Sequence, residues 1–116
     1  MKYIIFSLAS LLTIVNVSCK NNSVEALANG NICDTSSTKY STTISKIMTN
    51  HCTNCHGGSN PSAGISLEGY ANVSQFANAS LQRMNSSTFP MPPSGKIDDC
   101  NINKLSAWIA KGKQNN

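Results

Sequence analysis

Residues 52–56 read Cys52-Thr53-Asn54-Cys55-His56, and the meaning of these five decides what kind of domain surrounds them. Two cysteines three apart in a helical turn share one side of that turn, and the residue after the second follows on the same side. At that spacing two thiols can reach the two vinyl groups on one edge of a porphyrin, with an imidazole next in line beneath the iron. C-x-x-C-H is the attachment signature for c-type haem. Two other chemistries use paired cysteines. A zinc ribbon needs a second C-x-x-C or a Cys/His pair, and none is present. A thioredoxin-type redox pair sits beside a βαβ pattern, and no strand pattern is legible here. A chance match is the bland alternative.

Working outward, three amphipathic helices are expected. Upstream of the motif, Thr42–Asn50 places Ile44, Ile47 and Met48 on one face, with Ser41 as the expected N-cap. Downstream, a helix from about Tyr70 to Met84 carries Val73, Phe76, Ala77, Leu81 and Met84 as a stripe. A third, Cys100–Lys111, is capped by Asp98 or Asp99 and turns Ile102, Leu105, Trp108 and Ile109 inward. Lys111 and Gly112 then suit its C-terminus. Between the helices lie turn-rich stretches, Gly57-Gly58-Ser59-Asn60-Pro61 and Phe89-Pro90-Met91-Pro92-Pro93-Ser94-Gly95. The expected class is all-α.

The 116 residues include 9 Lys+Arg and 5 Asp+Glu, so only 12% are charged. That excludes a disordered polyelectrolyte or a long coiled coil. Aromatics are 6%, little bulk for so small a core, so a crosslink, metal or prosthetic group is expected to supplement it. Met1-Lys2-Tyr3 followed by the uncharged run Ile4–Val17 reads as a secretory signal over 1–18. The 14-residue run is shorter than the ~20 residues that span a bilayer. Ser18-Cys19-Lys20 resembles the lipobox of bacterial lipoproteins, although Asn16 stands where that pattern prefers Leu. The resemblance implies lipidation of Cys19. Ordinary cleavage a few residues on would instead leave Cys19 free. The polar stretch 19–32 reads as a flexible tether, followed by the domain, 33–116. Without Lys2 the charge is 8 basic against 5 acidic. With no Lys/Arg cluster or interleaved aromatics, nucleic-acid binding has no support.

From Tyr40 to Gly112 the chain resembles a class I monohaem cytochrome c. The shared features are the helix running into Cys52-Thr53-Asn54-Cys55-His56, the Gly-rich turns, the Met-Pro loop and the final Leu-Ser-Ala-Trp-Ile-Ala-Lys-Gly. The resemblance implies the cytochrome c fold, three to four helices around one covalent haem c. The first and last helices would cross, placing Ile44, Ile47 and Met48 against Leu105, Trp108 and Ile109. It also implies electron transfer rather than enzyme catalysis, through His/Met axial ligation, with His56 as the proximal ligand.

For the sixth ligand the candidates are Met48, Met84 and Met91. The first two lie on apolar helix faces and suit core packing. Met91 lies outside any helix, in a loop that three prolines stiffen, and is the expected ligand. His51, beside Cys52, is badly placed for the distal face of its own haem. Pro61 is a candidate for the carbonyl that orients His56. In the cytochrome fold the elements bearing Cys33 and Cys100 meet, which implies a Cys33–Cys100 disulfide in an oxidising compartment; two buried free thiols are the alternative. The expected protein is thus a monomeric, exported bacterial lipoprotein, periplasmic or on the outer membrane, docking transiently with redox proteins. The alternative function is a haem c module with an open distal site that binds small ligands or acts on peroxide.

Overall fold

The computed structural model describes residues 33–116. The expected signal segment 1–18, lipidation at Cys19 and tether 19–32 lie outside the described residues. Within them all regular structure is helical and no strand occurs. The order is a wide turn at Tyr40–Ile44 leading straight into α1 (Ser45–His51), then α2 (Thr53–His56), a short 3₁₀ turn at Ser62–Gly64, α3 (Gly69–Met84) and α4 (Asp99–Ala110).

The first helix begins earlier than expected and not by a serine cap. Lys39 precedes it in extended conformation and makes no side-chain cap. The free amides are met from the far end of the domain: Tyr40 N donates to Asn116 Oδ1 at 2.9 Å, and Ser41 N donates to Asn116 O at 2.8 Å. Ser41, the expected cap, is therefore a capped residue. A tertiary acceptor has taken the place of a local hydroxyl, since any suitably placed oxygen can satisfy an orphan N–H.

At α4 the cap is Asp98. Its carboxylate accepts from Asn101 N at 2.9 Å, while Asp99 opens the helix. The C-terminus closes on Gly112 at φ +84°, with Gly112 N bonded to Ile109 O and Lys113 N to Trp108 O, both at 3.0 Å. That pair is the Schellman arrangement, which needs a left-handed residue at Gly112.

The core draws on the Tyr40–Ile44 turn, α1, α3 and α4, while α2 buries no residue. Ile44, Ile47 and Met48 meet Val73, Ala77 and Met84 from α3 and Ile102, Leu105 and Trp108 from α4. Ile109 packs at its margin, and α4 lies against the Tyr40–Ile44 turn and α3. Two core members, Ile97 and Leu67, itself buried, come from the loops. Phe76, expected on the buried stripe, is only half-buried. It sits at the edge of α3's apolar face, on the side that also carries Arg83. Trp108 is 1% exposed; its indole N–H donates to Gln114 O at 2.9 Å. Tyr40 and Tyr70 pack around it with ring centroids at 5.8 and 6.4 Å.

Cys33 and Cys100 lie at disulfide distance, Cα atoms 5.4 Å apart across a separation of 67 residues. Lys111 Nζ also holds the 33–39 segment, donating to Thr35 O at 3.1 Å and Ser36 O at 2.6 Å. A bridge closing so long a loop stabilises by about 4 kcal/mol from chain entropy. Reduction, or Cys100→Ser, is therefore expected to lower Tm by at least about 10 °C, with a two-proton gain in intact mass on reduction. An unchanged mass and melting midpoint would mean that the thiols are not joined.

Candidate functional site

Cys52 breaks the first helix. Its φ/ψ of −122°/−44° departs from helical values, yet its N–H still donates to Met48 O at 2.8 Å. Its carbonyl then accepts from Cys55 N at 3.2 Å and His56 N at 2.9 Å. Residues 52–56 thus form a single turn tied to the end of α1, with Cys52, Cys55 and His56 on one side. Cys52 and Cys55 are not bridged to each other. Cys52 packs against the core, and burial pushes its thiol up to about 11. Cys55 is exposed.

His56 is gripped twice by the loop that follows. Its carbonyl accepts from Leu67 N at 2.7 Å, and its ring Nδ1 lies 3.0 Å from Ile65 O. A carbonyl can only accept, so Nδ1 is the donor, and in the neutral ring that tautomer leaves the lone pair on Nε2. The carbonyl is that of Ile65 and not of Pro61, which instead accepts from Gly64 N within the 3₁₀ turn. The left-handed backbone at Ala63 (φ 54°) and Gly64 (φ 69°) turns the loop back so that Ile65 reaches the ring. No local signal in the sequence marks a carbonyl nine residues away.

Gly57 follows His56 in extended conformation. A Cβ there would lie 2.5 Å from Thr53 O and 2.6 Å from Glu68 Oε1, so only glycine admits this close approach. The Gly57-Gly58 pair is legible as a turn, but Glu68 is not legible as its neighbour.

The methionines separate clearly. Met48 and Met84 are 1% and 4% exposed and belong to the core, whereas Met91 is 42% exposed. Met91 N donates to Arg83 O at 3.2 Å, which pins the loop to the end of α3. Phe89, 66% exposed, has the Arg83 guanidinium over its ring at 5.7 Å. Among the described residues, Phe89 and Met91 are the large apolar side chains left open to solvent. His51 is exposed at the end of α1.

Two pockets flank α1, of about 180 and 230 Å³, below the ~300–1,000 Å³ typical of small-molecule cavities. Neither pocket is lined by Cys52, Cys55 or His56. The donor chemistry suits a covalently held macrocycle: two unbridged thiols in one turn and an imidazole oriented through Nδ1. Among the described residues no three His, Cys, Asp or Glu side chains gather as a metal site. No family model, curated protein or solved structure matches this chain.

Proposed function

We propose that this domain is a small c-type cytochrome fold that carries one covalently attached haem c and passes single electrons between redox proteins. The observation that carries the reading is the state of His56: Nδ1 satisfied by Ile65 O, directly after two thiols that share a helical turn. A histidine that ligates a metal donates its second ring nitrogen to a carbonyl or carboxylate, which sets tautomer and orientation.

Haem c would supply the one-electron couple, and the protein's part is to hold and tune it. Cys52 and Cys55 are the attachment residues. His56 offers Nε2 as proximal ligand, held by the loop that Leu67 and Ile65 anchor. Met91 is the candidate for the opposite side, where a soft thioether favours the reduced iron and raises the potential. The exposed Asn54 and the Met91 loop with Phe89 are the proposed docking edge; redox contacts of this kind are small and transient.

The properties of Cys52 weigh against thiol redox catalysis. Reactive C-x-x-C pairs depress a thiol pKa to expose the thiolate, whereas burial raises this one. Export and lipid anchorage at Cys19 complete the proposal, since thioether attachment belongs to a compartment outside the cytoplasm. The test is a pyridine haemochrome, with ferric and ferrous spectra, of protein exported from a host that attaches haem c. One haem per chain that survives denaturation is expected; colourless protein from such a host sinks the reading.

A further inference from the structure

Glu68 has a position that neither the motif nor the core explains. Its backbone is held on three sides. The preceding Leu67 N donates to His56 O at 2.7 Å, Glu68 N bonds to Ser66 Oγ at 3.3 Å, and Glu68 O accepts from Asn72 Nδ2 at 2.8 Å. Its side chain then turns back, so that one carboxylate oxygen occupies the space beside Gly57 that a Cβ would need. Glu68 also lines a pocket of about 180 Å³ with Tyr40, Ser45, Thr49 and Thr53. No lysine or arginine lines that pocket, and the one ion pair among the described residues is Lys96–Asp99. A carboxylate with no cationic partner among the described residues is thus set against the turn that bears Cys55 and His56.

We propose that Glu68 is an electrostatic tuning residue, its carboxylate lying against the 52–57 turn in the space that Gly57 leaves open, where it favours the oxidised form of the attached group. The proposal rests on the haem reading. A redox centre that gains a positive charge on oxidation is stabilised in that state by a nearby anion. For a separation on the order of 10 Å and a dielectric between those of protein and water, one such charge changes the oxidised/reduced ratio about threefold. Exposure makes it sensitive to salt.

The test compares holoprotein carrying Glu68→Gln or Glu68→Lys with wild type by spectroelectrochemistry at low ionic strength. Glu68→Gln is expected to raise the reduced/oxidised ratio at fixed poise about threefold, roughly 30 mV for one electron. Glu68→Lys should move it further the same way, and both shifts should shrink in ~1 M salt, where screening acts over ~3 Å. A merely structural role would give a shift indifferent to salt and to the sign of the new charge, and that result overturns the proposal. So do two haem-loaded variants with the wild-type ratio. Wild-type protein without bound haem removes the foundation itself, which its own spectrum reveals before any variant is compared.

Discussion

Replacing Cys52 and Cys55 together by serine is expected to abolish covalent haem, leaving a protein that loses all colour on denaturation and acid–acetone extraction. The reason is stoichiometric. Four cysteines lie among the described residues; Cys33 and Cys100 lie at disulfide distance from each other, which leaves two unbridged thiols. Serine has nearly the same size and its hydroxyl does not form the thioether, so the helical turn should survive while the bonds do not. Each single substitution leaves one attachment point and is expected to lower the haem-stained band on a denaturing gel without erasing it. Loss should also be felt in the fold. Phe89 and Met91 are open to solvent, and apolar surface left in water forgoes about 25 cal/mol per Å² of burial. The doubly substituted protein should therefore melt below wild type. If it retained the full haem-stained band, attachment through this motif would be refuted.

The second large effect is expected at Met91. Met91→Ala should convert a low-spin ferric spectrum to a high-spin one and remove the far-red sulfur-to-iron charge-transfer band, a feature that the cytochrome resemblance implies. If Met91 ligates the haem iron as proposed, the potential should fall by at least about 60 mV, a tenfold change for one electron, because a soft ligand that favours the reduced iron would be lost. Met48→Leu and Met84→Leu are the controls. Both residues are fully packed, and a volume-conserving exchange costs under about 1.5 kcal/mol without touching the spectrum. Should Met84→Leu erase the band instead, the ligand belongs to α3. A wild-type protein already high-spin and indifferent to Met91→Ala would favour the open distal site and ligand binding over electron transfer.

Much of this arrangement is legible in one dimension, and the limits of that legibility follow a physical pattern. Features set within one helical turn read correctly. Ile44, Ile47 and Met48 are buried on one face, Asp98 caps α4 and Gly112 ends it, because spacing and capping depend on neighbours three or four residues away. Features satisfied across the fold do not read. Asn116 in place of Ser41 at the first amides and Ile65 in place of Pro61 at the His56 ring are tertiary choices. Phe76 lies at the fringe of its helix stripe, where periodicity grades smoothly from buried to exposed and only the packing partner draws the line.

The amino-acid order alone establishes a helical chain with a C-x-x-C-H turn, since residue type and spacing act locally. Only the folded arrangement decides which carbonyl meets the imidazole's Nδ1 and which carboxylate lies against Gly57. These depend on loops whose ends are anchored by distant groups, and a hydrogen bond or a close approach over such distances is settled by chain geometry in space rather than by the identity of adjacent residues.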